Sequence, residues 1–84
     1  MFLQNNEIRD LLNQVADLLE IRDDNPFRVR AYREAARVIE QMSEPVASLV
    51  KANKDLSQYR GIGRDLAAKI RDIVETGRLE QLRR

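Results

Sequence analysis

The sequence predicts an all-α domain, a compact bundle of four to five short helices. Apolar residues recur at spacings of three and four along most of the 84 residues, and no stretch alternates apolar with polar as a strand does. The segments between these periodic runs are short, as connections in small helical bundles are. Proline and glycine stand where helices start or stop and not within them.

The first helix is expected from about Asn6 to Ile21. Ile8, Leu11, Leu12, Val15, Leu18 and Leu19 form one apolar stripe, and acidic residues from Glu7 to Glu20 take the other face. Asp23-Asp24-Asn25 has turn chemistry, with Asn25 as N-cap and Pro26 in the first turn of the next helix. That helix carries Phe27, Ala31, Tyr32, Ala35, Ala36, Val38, Ile39 and Met42, and its paired alanines allow a close helix–helix approach. A shorter third helix opens at Ser43-Glu44-Pro45 and includes Val46, Leu49 and Val50, and Asn53-Lys54-Asp55 forms a loop after it. A short helix around Leu56, a turn at Gly61-Ile62-Gly63 and a final helix from Arg64 to Glu75 complete the bundle, with Gly77 at the stop. Arg78 to Leu82 are suited to one more turn. The ending Leu82-Arg83-Arg84 lacks terminator logic, so residues 1–84 are expected to be a single domain from the N-terminal part of a longer protein.

Composition narrows the chemistry. The chain is 43% hydrophobic, enough for one modest core. It has no cysteine and no histidine, which excludes disulfides, Ser-His or Cys-His hydrolysis and the usual zinc ligands. No apolar run approaches the roughly 20 residues that span a bilayer, and no secretory pattern opens the chain, so a cytoplasmic location is the default expectation. The formal charge of +1 hides a polarity along the chain. Residues 1–25 hold six acidic and two basic side chains, whereas residues 26–38 hold four arginines and one glutamate. Residues 60–84 hold seven basic and four acidic groups. Positive charge thus collects in two segments, as a patch for a polyanion would require; a merely solvated surface is the alternative.

Leu56 to Ile70 reads as short helix, Gly-x-Gly turn and second helix. Glycines at 61 and 63 are expected to permit positive φ and close approach of a ligand. The N–H groups that open the following helix lack intrahelical partners and favour an anion such as phosphate. This stretch resembles the helix-hairpin-helix motif, which grips the sugar-phosphate backbone of DNA without reading bases. In the second helix Arg30, Arg33 and Arg37 share a face, and Arg28 lies near its N-terminus, where anions are favoured. Arginine suits oriented phosphate contacts because it offers two parallel hydrogen bonds. Tyr32 is read either as a stacking or hydroxyl contact or as a core aromatic with Phe27 and Ala36.

Together, Asn25-Pro26-Phe27-Arg28-Val29-Arg30-Ala31-Tyr32-Arg33 with Ala35-Ala36-Arg37, and Gly61-Ile62-Gly63 with Ala67, Lys69-Ile70 and Thr76-Gly77, resemble the N-terminal eight-kilodalton domain of family X DNA polymerases, bacterial type. The resemblance runs from about Glu7 to Leu82, with both motifs in order. It implies non-sequence-specific DNA binding at gaps or nicks around a 5′-phosphate, in DNA repair synthesis. The implied contacts are Arg28, Arg30, Tyr32, Arg33, Arg60, Gly61, Ile62, Gly63, Arg64 and Lys69. Arg28 falls on the basic residue of the 5′-phosphate pocket and Tyr32 on the tyrosine beside it. Lys69 falls on the lysine that some members use as a Schiff-base nucleophile in removing 5′-deoxyribose phosphate. The backbone carbonyls of Ser57, Tyr59 and Ile62 match those that hold a monovalent cation, Na+ or K+, and no other cofactor is implied for this domain. The family's carboxylate cluster for polymerisation has no room in 84 residues.

Three positions depart from the family pattern. Asp65 replaces a phosphate-contacting lysine, Arg60 a proline and Glu34 a basic residue, although Arg64 adjoins Asp65. Asp65 and Asp72 also stand at helical ion-pair spacing from Lys69. The competing functions are a lyase acting through Lys69 and a protein-interaction domain in which the glycine turn serves packing alone. The arginine face argues against the latter. Monomer is the expected state.

Overall fold

The leucine-rich segment with its acidic outer face forms the longest helix of the computed structural model, which describes residues 3–77. Helix α1 spans Asn5–Ile21, α2 Pro26–Gln41, α3 Val46–Lys51 and α4 Arg64–Thr76, with a 3-10 turn at Leu56–Gln58. The order and type of these elements match the sequence reading, and no strand occurs among the described residues. The expected turn over Arg78 to Leu82 lies outside the described residues.

Local chemistry sets the boundaries. The Gln4 N–H donates to the Glu7 carboxylate at 2.7 Å, tying the entry of α1 to its first turn. Asn25 caps α2 by accepting the Phe27 N–H at 2.8 Å, and Pro26 follows with its φ already helical. Helix α4 ends at Gly77, whose φ of 81° is left-handed and whose N–H donates to the Ile73 carbonyl.

Helices α1 and α2 pack as an antiparallel pair. Ile8, Leu12, Val15, Ala16 and Leu19 meet Val29, Tyr32, Ala35, Ala36 and Ile39, all buried. Val46 and Val50 of α3, then Leu56, Ile62, Leu66, Ile70 and Ile73, close the core on the hairpin side. Among the described residues two large apolar side chains stay outside. Ile21 is 81% and Phe27 73% exposed, so Phe27, expected beside Tyr32 in the core, lies instead on the surface at the first turn of α2.

Long-range polar contacts complete the frame. The Asn5 amide donates to the Glu44 carbonyl at 2.9 Å and its oxygen accepts the Val46 N–H at 2.8 Å. Asn5 thereby supplies the cap that Pro45 cannot give α3, and it pins that helix to the start of α1. Arg33 reaches across from α2 to both Asp17 and Glu20 of α1, each at 2.8 Å. Arg9 lies 3.5 Å from Glu40 at the other end of the pair. These exposed pairs orient the helices and add only about 0.2–1 kcal/mol each.

The ionisable groups predict a flat stability profile near neutrality. Arg37 holds the Glu34 carboxyl below its ordinary value, and the Ser57 hydroxyl and N–H, then Arg64, do the same for Asp55. A depressed carboxyl pKa contributes stability that is complete above the ordinary carboxylate range of about 4 and is lost as pH falls through the lower folded value. With no histidine to titrate, the melting temperature is expected to be level from about pH 8 to 5 and to fall below about pH 4. A series of thermal melts across that range checks this; a step near pH 6 contradicts it.

Candidate nucleic-acid interface

The first two turns of α2 face the start of α4 across a cleft of about 910 Å³. Arg28, Ala31 and Tyr32 line one wall, and Gly63, Arg64, Asp65, Lys69 and Asp72 line the other, with Phe27 at the α2 end. Two segments far apart in sequence, residues 27–32 and 63–72, thus form a single concave surface.

The hairpin glycines act in different ways. Gly61 has a φ of 95°, and a Cβ there would lie 2.7 Å from Val38 Cγ2 and 3.2 Å from Glu34 Cγ. The turn is therefore seated directly on α2, which aims α4 at the cleft. Gly63 was expected to need positive φ as well, and it does not. Its φ of −81° and ψ of 178° are open to any residue, and nothing lies within 4 Å of where its Cβ would point. Its missing side chain instead leaves the N-terminus of α4 uncovered. The Arg64, Asp65 and Leu66 N–H groups have no hydrogen-bond partner among the described residues, while the Ala67 N–H bonds to the Gly63 carbonyl at 2.8 Å. Three free donors and the helix dipole thus open towards solvent beside Arg64.

The arginines of α2 divide. Arg28 lines the cleft, and its guanidinium lies 3.5 Å from the Asp24 carboxylate. Arg30 sits over the Phe27 ring, 5.7 Å from its centroid. Arg33 is held by Asp17 and Glu20, whose hydrogen bonds raise its pKa, and Arg37 is held by Glu34. The expected arginine face of three is therefore spent largely on intramolecular pairs, and neither Arg30 nor Arg33 lines the cleft. Tyr32 is 2% exposed, so its ring is a core aromatic and its faces are closed to base stacking.

On the hairpin side, Arg60 is exposed but outside the cleft, and the Ile62 side chain is buried in the core. Only the backbone of Ile62 is therefore available to a ligand. The Tyr59 carbonyl accepts the Ile62 N–H at 3.1 Å and keeps a second lone pair, and among the described residues no loop N–H bonds to the Ser57 or Ile62 carbonyl. Lys69 is partly buried, and among the described residues no carboxylate oxygen lies within 4.0 Å of its ammonium. The ion pairs that spacing offered with Asp65 and Asp72 are thus not made. Asp24 on Arg28 and Phe27 at the cleft's edge were not singled out from sequence. The spacing of Asp24 four residues before Arg28 was the available signal for the first.

A protein-family model described as a helix-hairpin-helix domain matches residues 3–79. The chain belongs to that family. It is also 29% identical over 80 residues to the DNA polymerase/3'-5' exonuclease PolX of Bacillus subtilis (strain 168). That overlap takes in 95% of this chain and about 13% of the relative's length. Both matches bear out the resemblance to the helix-hairpin-helix domain of family X polymerases. Among the described residues no helix is long and apolar enough to cross a membrane.

Proposed function

We propose that this helix-hairpin-helix domain binds DNA without sequence specificity, at gaps or nicks, and takes the downstream 5′-phosphate into the cleft between α2 and α4. The carrying observation is the convergence of Arg28, Arg64 and Lys69 with the uncovered N-terminus of α4 on one concave surface. A terminal phosphate is a dianion with three free oxygens, and this arrangement offers charge and several donors to it. The hairpin backbone meets the neighbouring phosphates, and a cation held by the Ser57, Tyr59 and Ile62 carbonyls would add positive charge there. The similarity to a DNA polymerase/exonuclease supports a place in repair synthesis.

The test is binding to a short-gapped duplex bearing either a 5′-phosphate or a 5′-hydroxyl on the downstream strand, at matched ionic strength. The phosphate form is expected to bind about 10-fold or more tightly, as a charge-assisted contact of about 1.5–3 kcal/mol implies. Arg28→Ala should abolish the preference. Equal binding of both forms by the parent domain removes the terminal-phosphate pocket and leaves a hairpin that grips any backbone. Contact with about three phosphates also predicts a log–log salt slope of roughly −2 to −3. A protein-interaction module would show no appreciable DNA affinity even at low salt.

A second reading is favoured by one observation. Lys69 lines the same cleft without a carboxylate partner among the described residues, so its amine is available to a reacting group held there. In that reading the domain removes 5′-deoxyribose phosphate through a Lys69 Schiff base.

A further inference from the structure

Of the four arginines in α2, Arg28 alone lines the cleft, and it already has an anionic partner. Its Nη1 lies 3.5 Å from Asp24 Oδ1. The same oxygen accepts the Asn25 N–H at 2.6 Å, so the carboxylate is fixed by the turn and does not swing away freely. Asp24 is the less exposed partner, its side chain 30% exposed against 50% for Arg28. A phosphate arriving at Arg28 therefore either takes the guanidinium from Asp24 or shares it with a carboxylate that stays in place. The first route loses an ion pair and the second sets two anions side by side. Asp65 and Asp72 line the opposite wall, so the acidic neighbours of the cleft equal Arg28, Arg64 and Lys69 in number. The acid that touches a cleft cation directly has the most leverage.

We propose that Asp24 is a built-in competitor of DNA phosphate for Arg28, and that it holds the affinity of the cleft below what its cations alone would give. This rests on the DNA-binding reading above. The adjacent Asp23 provides a matched control. It contributes the same charge one residue away, makes no ion pair with Arg28, and has a left-handed φ of 59°, a conformation that asparagine accepts well.

The experiment compares Asp24→Asn and Asp23→Asn on gapped duplexes with a 5′-phosphate or a 5′-hydroxyl, each also in an Arg28→Ala background. Asparagine keeps the oxygen that accepts the Asn25 N–H, and Asp24→Ser, which also offers an acceptor, serves as a second variant. Asp24→Asn is expected to tighten binding by about 2–5-fold beyond Asp23→Asn, the range of one exposed ion pair. Arg28→Ala should erase that difference. Equal effects of the two substitutions, or a difference that survives Arg28→Ala, overturn the proposal. If no protein in the set distinguishes the 5′ ends, the terminal-phosphate reading fails. The comparison of the two asparagine variants still decides the competition, since Arg28 would then be meeting internal phosphates.

Discussion

Gly61→Ala is expected to lower the stability of the domain by about 2–5 kcal/mol, the sum of a left-handed residue with a Cβ and an overpacked contact. Both causes are local to one atom. The φ of 95° disfavours any L side chain, and the added methyl would sit 2.7 Å from Val38 Cγ2. Relief requires the hairpin to lift from α2, which also separates the walls of the cleft. For a domain of this size the loss corresponds to roughly 10 °C or more in melting temperature. Gly63→Ala provides the contrast. It meets nothing within 4 Å and its backbone is unstrained, so thermal and urea unfolding should change little. Its methyl would stand beside the free N–H groups of α4, so DNA affinity should fall. A Gly61→Ala variant as stable as the parent would remove the argument that this glycine seats the hairpin.

These two glycines mark how far the sequence could be read. A Gly-x-Gly turn before a helix announces itself, but which glycine needs positive φ depends on where α2 passes, and no local pattern states that. Local signals held wherever both partners were local. Asn25-Pro26 opened α2, Gly77 closed α4, and the leucine stripe of α1 faced inward. Contacts between segments were less legible. Asn5 caps a helix about 40 residues away with no motif to show it, and Arg33 belongs to α1's acids and not to an open arginine face. For Phe27 the helical period was the better guide. The buried face of α2 is Val29, Tyr32, Ala35, Ala36 and Ile39, and Phe27 lies well away from it around the helix, so the ring stays in solvent beside Arg30. The cleft was legible as a list of residues through family resemblance, while its acidic neighbours were only partly foreseen.

Lys69→Ala is expected to abolish any borohydride-trapped adduct with DNA carrying an incised abasic 5′ end. The amine would attack the C1′ aldehyde carbon of the sugar and release water to leave an imine. Loss of a C2′ proton to solvent would then break the C3′–O bond, the oxygen leaving on the downstream strand's 5′-phosphate, and borohydride intercepts the imine before that happens. Lys69 is suited to this by position, because it shares the cleft with Arg28 and Arg64, which would hold the substrate phosphate. The other lysines of the described residues, Lys51 and Lys54, lie outside that cleft. Lysine can also serve only as a phosphate contact, and Lys69→Arg separates the two roles. A guanidinium retains the charge and its donors but forms no trapped imine under these conditions, so a nucleophilic Lys69 predicts retained DNA affinity with no adduct. An adduct of equal yield in Lys69→Ala assigns the chemistry to another amine. No adduct in the parent domain, with DNA affinity lowered by Lys69→Ala and restored by Lys69→Arg, leaves Lys69 as a cation for the terminal phosphate.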